Sequence, residues 1–303
     1  ARALFRSQPA ANLLLLGVAF QRGLIPISGD AIERAIELNG VAVELNKRAF
    51  AAGRAWAVDP GPFTSLVPAV EVATPPTPTA TVQHLIDQIS PRDPALRDAL
   101  AWRLPELIGF GGSRWASRYA DTVTRVLAAE TAVSDGAELT TAVATHLCSF
   151  MTYKDEYEVA RLHRDPSILS GIRARFGDDA TISYRLKPPT LTSLGYTKKI
   201  GLGRHTGAVT FGALRRMRGL RGTFFDPFGH TAERRMERDL IGEYEALVEE
   251  LLAGLTADTL AGAVRIAELA DRVRGYSHVK LNNVAAYRSD LLVARPPWRE
   301  ADA

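Results

Sequence analysis

Residues 36–54 read IELNGVAVELNKRAFAAGR, the end of one helix, a break and a second helix. Asn39-Gly40 supplies the left-handed residue that stops the first helix, and Gly53 is expected to stop the second in the same way. Between these stops Val43, Asn46 and Phe50 fall on one helical stripe, and Val41, Leu45, Ala49 and Ala52 on another. Both stripes can pack, so Asn46 is expected inside a contact, where its amide needs partners.

The same helical period extends outward from this stretch. Toward the N-terminus, residues 8–21 and 29–38 read as helices, the second opened by Ser28 as N-cap with Asp30 and Glu33 at its positive start. Ala10–Phe20 is apolar except for Asn12 and Gly17, about half the length of a membrane span. It is expected to be a helix buried on most sides, within something larger than this chain. Residues 1–57 form a first unit. Six prolines, at 60, 62, 68, 75, 76 and 78, make 58–80 an extended connector.

From 81 to 295 the pattern is again helical, over about 81–89, 94–108, 113–133, 138–164, 166–176, 206–219, 230–253, 258–273 and 277–292, with 296–303 as a tail. The clearest stripe is Met236, Leu240, Tyr244, Leu247, Val248, Leu251 and Leu252. Ala180–Leu186 alternates like a strand, so a small β element is expected near 180–203. The fold class is mainly α: a multi-helical domain with that β element, behind a short helical unit.

Composition narrows the chemistry. The chain has 303 residues, 46% of them hydrophobic, and a net charge of +3, as in an ordinary globular protein. Cys148 is the single cysteine, which excludes a disulfide framework and any four-thiolate zinc or iron–sulfur site. A reducing, cytoplasmic setting is the corresponding expectation. No two of the six histidines stand at metal-ligand spacing, and phosphate-loop, dinucleotide-binding and Ser-His-Asp signatures are missing. No catalytic residue and no metal ligand are assigned.

Three constellations remain. Arg185, Lys187, Lys198, Lys199, Arg204, Arg215, Arg216, Arg218 and Arg221 lie in a stretch with no Asp or Glu. Lys198, Lys199, Arg204, Arg215, Arg216 and Arg218 could bind phosphate, CoA or an acidic partner; equally, they could pair with carboxylates elsewhere, such as Glu233, Glu237 and Asp239. In the helix expected at 138–164 the stripe Val143, Leu147, Phe150, Met151 continues as Lys154, Glu158 and Arg161, which reads as a polar network along an apolar seam. Phe225-Asp-Pro-Phe-Gly-His230 makes a tight turn with its aromatic rings expected on the core. Behind it Arg234 is a candidate anion site at a helix start capped by Thr231 or His230. Nucleic-acid binding is disfavoured, because the basic stretch lacks interleaved aromatics.

Several of these segments, in this order, resemble a known family. Asn12–Gly17, Asn39-Gly40 and Asn46–Gly53 are similar to the end of the gamma domain of indolepyruvate:ferredoxin oxidoreductases, in the thiamine-dependent 2-oxoacid:ferredoxin oxidoreductase family. Met151–Arg161, Leu220–Thr223, Asp226–Arg238 and Arg274–Lys280 resemble the helical C-terminal domain of its fused, long form. The resemblance implies oxidative decarboxylation of an aryl 2-oxoacid to an acyl-CoA, with thiamine diphosphate, Mg2+, iron–sulfur clusters and CoA in the full enzyme and ferredoxin as acceptor. It also implies that no cofactor is held by this segment. Its partners would be the N-terminal thiamine and gamma domains, ferredoxin and a second copy of the enzyme, with no membrane.

Overall fold

The computed structural model describes residues 2–5, 7, 9–64, 74–177, 181–186, 200–275 and 277–300. It divides into two compact units, Ala1–Thr74 and Pro75–Ala303. Their boundary falls within the proline-rich segment.

The first unit holds α1 (Arg2–Phe5), α2 (Ala10–Gln21), α3 (Gly29–Asn39), α4 (Val43–Val58) and α5 (Gly61–Thr64). Ser28 Oγ accepts from Ala31 N at 3.2 Å to start α3, and Gly40, with φ +68°, ends it. Gly53 behaves otherwise than expected: it lies buried inside α4, which continues to Val58. An added Cβ at Gly53 would collide with the Leu14 carbonyl oxygen, and one at Gly17 with that of Phe50. Two facing glycines thus let α2 and α4 cross backbone to backbone, so Gly53 serves close approach rather than chain reversal.

Ile32, Ile36 and Phe50 form the small core beside this crossing, with Leu13, Leu16, Phe20 and Val43 packed around them. Asn46 sits outside it and donates locally, Nδ2 to the Val41 carbonyl at 2.9 Å. Only Ala10 and Gly17 of α2 are buried, and Leu15 is 63% exposed. The expected helix buried on most sides is therefore covered along one side.

The second unit is mainly α, as its patterning implied. Its helices are α6 (Ala80–Ile89), α7 (Pro94–Gly111), α8 (Ser113–Thr131), α9 (Glu138–Met151), α10 (Glu156–His163), α11 (Pro166–Phe176), α12 (Arg204–Arg216), α13 (Ala232–Ala253), α14 (Leu260–Glu268) and α15 (Ser277–Glu300). Between α11 and α12, β1 (Tyr184–Leu186) pairs antiparallel with β2 (Ile200–Leu202), Tyr184 opposite Leu202. The connector expected at 58–80 contains the single turn of α5, and residues 65–73 lie outside the described residues, as does the end of the tail. The last helix runs through the expected tail as far as Glu300.

Helix α9 is the axis, packed against α7, α8, α13 and α14. Leu104, Leu107, Tyr119, Val123, Leu147, Met151, Tyr244 and Leu247 fill the core around it. Its first turn is capped from outside, because Ala137 offers no capping side chain. The buried Glu130 carboxylate does this, accepting from Leu139 N and Thr140 N at 2.8 Å and from Thr140 Oγ1 at 2.6 Å. A charge is tolerated there because three donors converge on it at a positive helix start.

Candidate functional site

The continuous helix expected over 138–164 is two helices. α9 stops at Met151, Thr152 Oγ1 donates to the Cys148 carbonyl at 2.7 Å, and α10 begins after Asp155, whose side chain accepts from Glu158 N at 2.7 Å. The Thr152 hydroxyl thus doubles the last backbone bond of α9, and the Asp155 side chain takes the place of the ladder at the start of α10. The break is also packed: Tyr153 is buried against Phe110 at 5.2 Å between ring centroids, and Trp115 Nε1 donates to the Met151 carbonyl.

Breaking there aims the side chains of Asp155, Glu156 and Tyr157 at segments distant in sequence. Arg221 donates to both Asp155 oxygens, Nε at 2.5 Å and Nη2 at 3.0 Å, and its Nη1 donates to the Phe110 carbonyl. Tyr157 donates its hydroxyl to the buried Asp226 at 2.9 Å. Asp226 also accepts from Gly222 N at 2.8 Å and Phe228 N at 3.1 Å. Burial pushes the Asp226 carboxyl up, but these donors outweigh it and hold it below the ordinary value. Burial raises the Tyr157 phenol, and its bond to Asp226 raises it further.

Two more ion-pair clusters close the belt. Arg234 meets Glu237 at 2.5 Å and Glu156 at 3.5 Å, and Lys280 reaches the other oxygen of Glu237 at 2.6 Å. Burial alone would lower the Arg234 guanidinium, but the two glutamates overcome that and raise it. Burial also raises the Glu156 carboxyl against the pull of Arg234. Arg161 grips Glu158 at 2.8 Å and bonds to Glu106, which raises its own pKa.

This geometry sorts the predicted residues. Glu158 and Arg161 do pair, and Lys154 is exposed just before α10. Asn46 belongs to the other unit and joins no such network. Arg234 is turned inward onto two glutamates and is no open anion site. Arg215 and Arg216 are exposed on the last turn of α12, and Arg218 donates to the Gly109 carbonyl at 2.7 Å. Lys198 and Lys199 lie outside the described residues, and of Arg204 only the backbone, opening α12, is described. In the 225–230 turn only part of the expected anchoring holds. Phe228 packs on Tyr157 at 5.3 Å, but Phe225 is exposed beside Phe224. Thr231, rather than His230, caps α13.

Two open grooves mark the surface of this unit. One of about 800 Å³ is lined by Asp93, Glu138, His146, Glu268 and Asp271 among others. Burial lowers the His146 pKa, against the pull of Asp271 and Glu268. The other, about 560 Å³, lies over the helix break and is lined by residues including Trp102, Arg103, Lys154 and Glu158. Cys148 is buried at its edge, its thiol pushed up to about 11 by burial. It stays protonated at neutral pH and is a poor nucleophile. Among the described residues no group of three or more His, Cys, Asp or Glu is placed to hold a metal ion. No helix among them is long and apolar enough to cross a membrane.

Sequence reading missed Asp155 and Asp226 as partners, and offered Glu237 to the basic stretch rather than to Arg234 and Lys280. Only the first carried a signal: Asp155 with Glu158 three residues later is the spacing of a capped helix start.

A family model matches residues 96–291, which hold the whole charged belt from Glu106 to Lys280: DUF6537, a family of unknown function. The chain belongs to this family. No curated protein and no solved structure matches it. The DUF6537 region also contains the lining of the groove over the helix break.

Proposed function

We propose that this chain is the C-terminal part of a thiamine-diphosphate-dependent 2-oxoacid:ferredoxin oxidoreductase of the indolepyruvate type. In this reading the DUF6537 region braces the enzyme and carries no chemistry of its own. The supporting observation is the convergence of the segments that carry the resemblance. Met151–Arg161, Leu220–Thr223, Asp226–Arg238 and Arg274–Lys280 meet through Asp155–Arg221, Tyr157–Asp226, Glu156–Arg234 and Glu237–Lys280. Charges that satisfy one another hold a shape, and they leave few open valences for a substrate. Thiamine diphosphate, Mg2+ and the clusters would belong to other parts of the enzyme, since a cluster needs several thiolates and Cys148 stands alone here.

The test is purification of the native protein from its source. Its intact mass would be measured, with assay of aryl-2-oxoacid- and CoA-dependent reduction of a viologen dye. The proposal expects a polypeptide or complex larger than this chain, with bound thiamine diphosphate and that activity. A native protein with neither the cofactor nor the activity sinks it.

A second reading rests on Arg215 and Arg216, which are exposed and make no ion pair among the described residues. They could receive CoA phosphates or an acidic ferredoxin. Replacing Arg215, Arg216 and Arg218 by glutamine in the active enzyme would then raise the Michaelis constant for one of these, with oligomer stability unchanged. The opposite result favours the bracing role.

A further inference from the structure

α11 stands apart from the other helices of the second unit. Each of those buries at least one side chain, even the short α10 with Tyr157 and α12 with Phe211, whereas no described side chain of α11 is buried. Its sequence is nonetheless amphipathic. Ile168, Leu169, Ile172 and Phe176 share one face, and Ser170, Gly171 and Ala174 lie on the opposite one. Ile168 and Phe176, at the two ends of the stripe, are 45% and 66% exposed, and none of the four packs on the core of this unit. A helix of 11 residues is marginal by itself in water, so an open stripe of this kind calls for a cover.

The charges around the stripe narrow what covers it. With about 100° per residue, Arg173 and Arg175 fall about 80° to either side of its centre, one along each edge. The Arg175 guanidinium lies over the Phe176 ring, 5.1 Å from its centroid. Neither arginine makes an ion pair among the described residues, and the helix carries no Asp or Glu. The surrounding sequence has the same sign: residues 164–223 hold twelve Lys or Arg against three Asp, in a chain whose net charge is only +3.

An apolar stripe bordered by arginines and backed by small residues suits a helix lying in the surface of an anionic bilayer. The apolar side chains enter the acyl boundary, while the guanidiniums stay at headgroup level on their long stems. Such a surface presents anions along both edges of the helix at once, whereas an acidic protein groove must place a carboxylate on each wall.

We propose that α11 docks on an anionic lipid surface, with Ile168, Leu169, Ile172 and Phe176 toward the acyl chains and Arg173 and Arg175 on the headgroup anions. The contact is peripheral, since no described helix is long and apolar enough to span a bilayer. The assignment draws on α11 alone and does not depend on the oxidoreductase reading.

Co-sedimentation of the 303-residue chain with two kinds of vesicle tests it, one of phosphatidylcholine and one of equal parts phosphatidylcholine and phosphatidylserine. The chain is expected to bind the anionic vesicles, to ignore the neutral ones, and to come off as salt is raised. Arg173→Gln/Arg175→Gln should weaken binding about tenfold or more, each cation at the surface being worth about 1 kcal/mol. Ile168→Ser/Phe176→Ser should also weaken it, and because neither position is buried, Tm should stay at the parent value. Equal binding to both vesicles overturns the role of the arginines, and full binding by Ile168→Ser/Phe176→Ser overturns insertion of the stripe. Phe224 and Phe225 are the other exposed aromatic pair of this unit. Loss of binding in Phe224→Ser/Phe225→Ser but not in the α11 variants places the contact elsewhere and overturns the proposal. A chain that stays off both vesicles overturns it too. In that case a dimer that Ile168→Ser/Phe176→Ser dissolves gives the face to a second copy, and retention on polyglutamate gives it to an acidic chain.

Discussion

Arg221 lies over the ring of Phe110, its guanidinium carbon 3.6 Å from the ring centroid, while its edge holds both oxygens of Asp155. One side chain thus ties α7 to the first turn of α10. The Asp155 and Arg221 side chains are nearly enclosed, at 3% and 11% exposure. Removing the cation strands a buried carboxylate, which costs about 3–5 kcal/mol in such settings. Arg221→Ala should lower the urea-unfolding free energy by roughly that amount. Arg221→Lys should recover only part, since an ammonium can neither fork onto two oxygens nor lie flat on a ring. Unchanged urea midpoints for both variants would refute this account of the pair.

The Gly17–Gly53 crossing sets a second expectation. A methyl group at either position meets a carbonyl oxygen of the opposite helix. Backbone atoms cannot step aside as a flexible side chain can, so α2 and α4 must separate. Gly17→Ala and Gly53→Ala should each destabilise the first unit by about 1–3 kcal/mol. The double variant should cost less than the sum, because one separation relieves both clashes. Amide hydrogen exchange across Val43–Val58 would register the loss as faster exchange.

How far these features can be read from the residues depends on range. Gly40 is legible because a helix stop needs one residue at positive φ, and Asn-Gly advertises it. Gly53 carries the same letter for another reason, close approach to a helix some 36 residues earlier (53 against 17), and local pattern cannot separate the two uses. The run from Val143 to Met151 keeps its period into Lys154 and Glu158, so periodicity joined two helices that Thr152 and Asp155 divide. The first strand was visible as alternation, though not its partner at Ile200–Leu202, and the helices as stripes. The belt was not, because Asp155–Arg221 and Glu237–Lys280 are matches between distant segments, decided only when the helices pack.

Glu130 gives a third expectation. Its carboxylate satisfies two backbone amides at the start of α9 and the Thr140 hydroxyl. Glu130→Ala leaves those donors buried without acceptors, at a cost of about 1–3 kcal/mol for each unsatisfied group. Glu130→Gln keeps one acceptor oxygen and should fall between the parent and the alanine variant. Thermal melts of the three proteins in one buffer should rank parent, glutamine, alanine, and any other order contradicts the capping role.

His146 gives a pH dependence whose sign follows from its surroundings. Burial lowers its pKa below the ordinary 6.5, and the attraction of Asp271 and Glu268 does not make up the difference; Arg274 and Arg103 push the same way as burial. The unfolded chain therefore binds a proton here before the folded chain does. Stability falls as pH drops through the ordinary histidine value and keeps falling until the folded His146 also titrates, after which this group has no further effect. His146→Gln should remove that part of the slope. Urea midpoints of the parent should drop between about pH 7 and about pH 5.5 more steeply than those of H146Q, the window in which histidines titrate. Parallel curves for the two proteins would mean that the folded His146 titrates at its ordinary value.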